Sequence, residues 1–541
     1  MSKTENMTVA DLPTATSETR RAGPWLFLTF FALYALASPG NLAGDAEVRW
    51  SLARQIVRGH SLHLEDDLRT NNFVYGADGK RYSYYGLGQS ILMTPFAALA
   101  LAAEASGPLS PATADLAGQF LASVILFPAI GALLIGLFAN LILSLGCTRT
   151  VSLIMAVLLG AATMIFHYSV NGQEQTQIAA LLLVALLLAV RYFRHAAFSR
   201  AWLFCLALGA CLVFRSAAAI MILPIYLVVA IADAVKSPRA PARTTARWLA
   251  AGLLGVGPAI AICAWYNYVR FANPLESGYS LVAETAMGGH TMLESSPLPT
   301  LAAMLFSPGK SIFLYNPLLI LLPLCIRRFY RNSPVVALAS LAAVLANFLF
   351  YSFCTTWAGD YAWGLRYQVP ILALLVLPLV VLFSGPIKPA LRAIFVLLAA
   401  ASCVIQLSSI LYNFNLEFVQ NPNHCLIPDA WVWDFSQSHL KRRFTNIAAH
   451  VAGNRDFSSV PVAVEEPKLL KTNRTENDVR AAYCLNPFPF KARATLHSNK
   501  LFSVLLSFWI FLAISLAFSA SRLLCAYHNS RRLPDIREKV S

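Results

Sequence analysis

Apolar runs of membrane-spanning length recur along the whole chain, and that repetition leaves few folds open. Stretches poor in charge lie at 24–40, 117–143, 150–169, 176–193, 201–214, 217–235, 247–268, 311–326, 335–353, 367–384, 390–411 and 500–524. A helix of roughly 20 such residues crosses a hydrocarbon core. Lipid offers no partner to backbone N–H and C=O groups, so segments of this kind form helices. The expected fold is all-α: a polytopic integral membrane protein with about 12 transmembrane helices. The least regular part is 201–235, where Arg215 divides a run too long for one helix and short for two. Composition agrees, since 57% of the residues are hydrophobic and 13% charged, against about 25% charged in soluble proteins.

The net charge of +15 does not mark a nucleic-acid binder, because the basic residues are spread through short loops as the positive-inside rule expects. The runs Arg191/Arg194/Arg200, Lys236/Arg239/Arg243/Arg247 and Arg327/Arg328/Arg331 join Arg20-Arg21 on one side only if 88–104 dips into the interface without crossing. Pro95 and Gly107-Pro108 fit a helix that stops short. The organisation expected is a cytoplasmic tail over 1–23 and a transmembrane domain over 24–411 whose first outer loop is 41–116. An outer segment over 412–499 follows, then a last helix and cytoplasmic tail over 500–541. The first apolar run reads as an uncleaved anchor in a bacterial inner membrane, with the N-terminus cytoplasmic and the chemistry on the periplasmic face. No Walker-type glycine loop is present, and nucleotides are not normally available on that face. The two halves differ in loop pattern, which weakens a transporter built from inverted repeats.

Most conspicuous polar residues fall in the outer loops. Asp45 and Glu47 follow the first run. They suit either general-base chemistry on a lipid-carried substrate or the N-terminus of an interfacial helix, 47–57. Asp-x-Glu also suits a hard divalent cation, although the sequence requires no cofactor. Arg49, Arg54 and Arg58 on that helix read as ligands for anionic headgroups or as snorkelling cations. Tyr75, Tyr82, Tyr84 and Tyr85 form an interface belt or a sugar-stacking surface. Glu174 sits at a membrane edge, where a carboxylate is costly, and His167 nearby is a core histidine or a base. Lys310 and Arg366 stand against the charge bias. Arg is the usual bidentate phosphate ligand, while an Asp360–Arg366 ion pair is the competing reading. Cys425 and Cys484 share the outer segment, and an oxidising compartment favours a disulfide between them. That segment is short for an independent core and is expected to pack onto the membrane domain and cover its cleft.

These residues carry a resemblance. Gly44-Asp45-Ala46-Glu47, Asn273-Pro274-Leu275-Glu276-Ser277-Gly278-Tyr279, Ser307-Pro308-Gly309-Lys310-Ser311-Ile312-Phe313-Leu314-Tyr315 and the stretch from Trp357 to Tyr367 occur in order within residues 25–450. Together they resemble the GT-C superfamily of polytopic glycosyltransferases, and more narrowly a bacterial branch of phospholipid-carrier-dependent glycosyltransferases. The resemblance implies a polyprenyl-phosphate-linked sugar as donor and an envelope lipid, polysaccharide or protein as acceptor. It makes Asp45 the base that deprotonates an acceptor hydroxyl, with Glu47 assisting, and Arg366 and Lys310 the ligands of the donor phosphate. Glu174, Arg215, Glu276, Tyr279 and Asp360 are the further substrate-binding candidates. Two positions depart from the branch pattern: Trp357-Ala358-Gly359-Asp360 replaces Trp-x-Gly-Gly, and Leu365 replaces a proline. The rival readings are a transporter or flippase of a lipid-linked or anionic solute and a non-catalytic assembly partner.

Overall fold

The structure is a computed structural model that describes residues 17–59, 62–65, 72–107, 109–238, 240–286, 291–359, 362–413, 416–419, 429–453, 484–496 and 498–532. Among these residues the fold is helical apart from one short hairpin, which pairs Val74 with Tyr82 and Tyr75 with Arg81. Eight helices are long and apolar enough to cross a membrane: Pro111–Ser144, Gln175–Arg194, Ser216–Lys236, Pro241–Phe271, Pro334–Phe353, Arg366–Phe383, Pro389–Leu411 and Asn499–His528. Ala22–Ala37, Arg149–Ala161, Phe198–Phe214 and Pro297–Phe306 are shorter apolar helices. The architecture is that of a multi-pass, all-α membrane protein.

Two expected spans are broken. Residues 150–169 divide into Arg149–Ala161 and Ile165–Val170, and 311–326 into Ile312–Tyr315, a 3-10 turn Pro317–Leu321 and Leu322–Asn332. The breaks support each other: Asn316 Oδ1 accepts a bond from the Met164 N–H at 3.0 Å, and Pro317 has no N–H to continue a helix. The run around Arg215 resolves into two helices, with Arg215 extended between them at φ −158° and ψ 122°. The span Arg366–Phe383 is wound as 3-10 helix over Arg366–Ile371 and Leu377–Phe383, flanking an α-turn Leu372–Val376.

The basic loops meet at one end of the bundle, where Arg200 donates to the carbonyls of Arg191 and His195 and Arg247 lies 3.9 Å from Asp233. The first loop lies at the other end. Its helix Asp45–Arg58 buries Val48, Trp50, Leu52 and Ala53. Helix Gly88–Ala105 packs along it. Gln89 at its start donates to the Gly172 carbonyl, and Gln119, beyond its end, accepts from the Leu42 N–H.

The C-terminal segment docks on this same end. Helix His439–Val451 packs against Pro389–Leu411, where Arg443 donates to the Ser408 and Ser409 carbonyls, and holds Leu416–Val419 through a buried ion pair, Arg443 Nε to Glu417 Oε1 at 2.6 Å. The Gly309 N–H donates to the Val432 carbonyl at 2.9 Å, and a Cβ at Gly309 would fall 1.9 Å from the Trp431 carbonyl oxygen. Only glycine permits that approach. Cys425 and Asp360 lie outside the described residues, as do the disulfide and the Asp360–Arg366 pair expected of them. The last helix, Asn499–Arg532, lies against Ser17–Ala37, where Trp509 Nε1 donates to the Leu36 carbonyl at 2.9 Å.

Candidate active site

Gly44 takes a left-handed φ of 59°, which turns the chain so that Asp45 opens the helix Asp45–Arg58. Asp45 and Glu47 share its first turn, where a carboxylate meets the favourable end of the helix dipole. The Asp45 carboxylate is mostly buried. Oδ1 accepts from the Tyr85 hydroxyl at 2.6 Å and from Asn72 Nδ2 at 3.3 Å, and Oδ2 lies 3.4 Å from an Arg366 guanidinium nitrogen. Burial pushes the Tyr85 hydroxyl well above its usual range, and the charge of Asp45 pushes it further, so Tyr85 remains a donor. Tyr84 adds its hydroxyl, 3.0 Å from that of Tyr85.

A second carboxylate lies behind the first. Glu174 ends the short turn before helix Gln175–Arg194 and is buried. Arg49 meets its Oε2 at 2.5 Å and Arg215 its Oε1 at 2.8 Å. Burial alone raises the Glu174 carboxyl, but the two guanidinium groups outweigh it and hold the group down at about 2. Aromatic faces carry the arginines. Arg49 lies over Tyr85, 4.2 Å from the ring centre. Arg215 and Arg366 both lie over Tyr367, at 4.6 and 4.9 Å. Tyr367 in turn stacks on Tyr351, 4.6 Å centre to centre and 3° from parallel. Arg49 Nε and Nη1 and Arg215 Nε have no hydrogen-bond partner among the described residues. Among the described residues, the Arg49, Arg215 and Arg366 guanidinium groups thus gather around the Asp45 and Glu174 carboxylates in a low-dielectric setting.

A narrow cleft opens beside this cluster. Tyr84, Tyr85, Arg215 and Tyr279 form a polar wall, and Leu212, Val213, Ile262 and Cys263 an apolar one. Tyr279 packs edge-on to Tyr84 at 5.5 Å. Among the described residues, no group of His, Cys, Asp or Glu side chains converges to hold a metal ion. The Asp45 carboxylate is met by a guanidinium instead.

Asp45, Glu174, Arg215, Tyr279 and Arg366 therefore come together from five separate segments. Two candidates do not join them. The Lys310 side chain is buried, and its ammonium donates to the Ala362 carbonyl at 2.8 Å and the Gly364 carbonyl at 3.3 Å. It braces the turn before Arg366 instead of standing at an open mouth. Glu276 accepts from the Gly278 N–H at 2.5 Å and from the Ser280 hydroxyl, so it organises its own turn. The headgroup reading of the first-loop arginines also fails. Arg49 pairs with Glu174, Arg54 with Asp115 at 2.9 Å, and Arg58 with Glu65. His167 is a core residue, stacked 6.0 Å from Trp363.

Arg49, Tyr84 and Tyr85 join the site without having been singled out for it. Tyr84 and Tyr85 stood in a tyrosine cluster that fits a membrane belt equally well. Arg49 carried a usable signal, since it is a cation two residues from a carboxylate at the end of the chain where cations are scarce.

Fold and site define a class: a multi-pass helical membrane protein that buries a carboxylate–guanidinium cluster beside a cleft with one apolar wall. No protein-family model matches the chain, and no curated protein matches it. Among solved structures it is similar to the crystal structure of ArnT from Cupriavidus metallidurans bound to undecaprenyl phosphate. Identity is 13%, the match covers 81% of this chain and 71% of that chain, and the TM-score is 0.46.

Proposed function

We propose that the chain is a membrane glycosyltransferase. It transfers a sugar from a polyprenyl-phosphate carrier to a hydroxyl of a cell-envelope acceptor, on the outer face of a bacterial inner membrane. One observation carries this reading: the Arg366 guanidinium meets the Asp45 carboxylate and lies with Arg215 over Tyr367, and Arg215 also lines a cleft that includes Leu212, Val213 and Ile262. That arrangement suits a phosphate with a hydrocarbon tail, next to a base.

In this mechanism the acceptor O–H gives its proton to Asp45 as its oxygen attacks the anomeric carbon. The bond from that carbon to the phosphate oxygen breaks, and its electron pair leaves with the phosphate. The configuration at the anomeric carbon inverts. The phosphate changes from a singly charged diester to a monoester that carries more charge, and preorganised guanidinium groups stabilise such developing charge. A phosphate arriving at Arg366 competes with Asp45 for the guanidinium and releases Oδ2 to take the proton. The phosphate role assigned to Lys310 passes to Arg215, because the Lys310 ammonium is engaged by backbone carbonyls.

The test is consumption of lipid-linked sugar in vesicles holding either the wild-type chain or Asp45→Asn, across a panel of polyprenyl-phosphate sugars and envelope acceptors. Wild-type turnover that collapses in the variant at equal protein level supports the reading. Equal turnover in both makes Asp45 structural and removes the mechanism.

A further inference from the structure

The turn that delivers Arg366 to Asp45 is held from behind. Three successive carbonyls of that turn accept bonds from distant side chains. Ala362 and Gly364 accept from the Lys310 ammonium, and Trp363 accepts from the Tyr168 hydroxyl at 3.0 Å. The Trp363 ring is wholly buried, and Tyr315 meets it edge-on at 5.1 Å. Such bonds fix the turn in one conformation, because a buried carbonyl that loses its donor stays unsatisfied.

The docked C-terminal segment adds two contacts to this support. His439 stands edge-on to Trp363, 4.9 Å centre to centre, and the Arg443 guanidinium lies 5.5 Å from the same ring. The Val432 carbonyl accepts from the Gly309 N–H at 2.9 Å, one residue before Lys310. One contact therefore falls on the turn itself, and the other beside the lysine that holds it. Among the described residues, those lining the cleft beside Arg215 all fall between 84 and 279. The described part of the C-terminal segment thus stands behind the arginine and not along the cleft.

We propose that the C-terminal segment positions Arg366. Val432, acting through Gly309 and Lys310, and His439, acting through Trp363, fix the turn from which the guanidinium reaches its phosphate. The inference rests on the transferase reading, in which Arg366 holds the donor phosphate. Two variants loosen the contacts and leave every residue of the Asp45 cluster in place. Gly309→Ala sets a methyl against the Trp431 carbonyl, and His439→Ala removes the ring that faces Trp363. Binding of decyl phosphate to the full chain in lipid nanodiscs is measured by calorimetric titration, with Arg366→Gln as reference. A misfolded fraction lowers the stoichiometry of such a titration and leaves the affinity alone. Each variant is expected to bind decyl phosphate about 10-fold more weakly, the worth of one hydrogen bond to a charged group. The KM for the lipid donor should rise in step, while kcat changes less. Should one variant fail to fold, the other decides. Wild-type affinity in a folded variant overturns the proposal even where the thermal midpoint falls, since the segment is then structural support alone. Turnover of lipid-linked sugar by the wild type leaves the transferase reading standing in that case. Decyl phosphate that fails to bind the wild type, or binds Arg366→Gln equally, overturns the proposal together with the phosphate role of Arg366.

Discussion

Two buried glutamates in this molecule are each gripped by arginine, and they differ in what the arginines have left to give. At Glu417 the grip is closed. Arg443 pairs with both carboxylate oxygens, at 2.6 and 2.8 Å; its Nη1 donates to the carbonyls of Ser408, Ser409 and Tyr412, and its Nη2 also donates to that of Asn413. Those carbonyls close the C-terminal end of helix Pro389–Leu411, where a cation is favoured. His439 and Asn446 supply two more contacts to Glu417, at 3.0 and 3.1 Å. At Glu174 two arginines share one carboxylate, and three of their nitrogens lack a partner among the described residues. The first arrangement is saturated and holds a segment in place. The second keeps spare donors beside a cleft, as a binding site does.

The largest expected effect tests the open cluster. Asp45→Asn should lower turnover by about 10²- to 10⁴-fold, the usual worth of a general base, measured at equal folded protein because the variant also removes the carboxylate that Arg366 meets. Next comes a matched pair. Glu417→Gln leaves Arg443 buried and uncompensated, which should cost about 3–5 kcal/mol, read as a lowered thermal midpoint. Glu174→Gln should also destabilise the chain, but added decyl phosphate should restore its midpoint and leave that of Glu417→Gln unmoved. Rescue of both, or of neither, would erase the distinction between the clusters. A smaller effect is expected from Arg215→Lys, since lysine cannot reproduce the flat guanidinium stacked on Tyr367. It should raise the KM for the lipid donor about 10-fold and change kcat less.

Acidification separates the clusters most gently. Burial holds the His439 imidazole down at about 4 despite its contact with Glu417, whereas the unfolded chain takes up that proton near 6.5. The unfolded state therefore binds more protons between these values, and stability from the Glu417 cluster falls as pH drops from about 6.5 to 4. Glu174 titrates at about 2 when folded. Its stabilisation is complete above the unfolded value near 4.3 and fades only below it. Hydrogen exchange should show helix His439–Val451 loosening at pH 5 while the turn before Gln175 stays protected.

Much of this was legible in the chain. Apolar runs separated by basic loops carried the helices, and cations standing against the charge bias carried Arg366. The same rule misled at Lys310, because it registers an isolated cation without revealing whether a ligand or a backbone carbonyl receives it. Which carbonyls a turn leaves unpaired, here Ala362 and Gly364, depends on local winding that residue order does not disclose. The breaks at 162–164 and 316 were hidden for a related reason. They are held by one bond from Asn316 to the Met164 N–H, made across 152 positions, and neither segment looks irregular alone. Glu276 looked like a pocket residue because its short-range hydrogen bonds leave no trace in composition.

The tight winding of Arg366–Phe383 lengthens the segment that begins at the site. Eighteen residues of ordinary α-helix rise about 27 Å, short of a hydrocarbon core of about 30 Å. With most of its length in 3-10 turns, which rise about 2.0 Å per residue, the same segment reaches about 33 Å. Pro370 and Pro378 lie in those turns. The extra reach of about 6 Å falls at the Arg366 end as much as at the other.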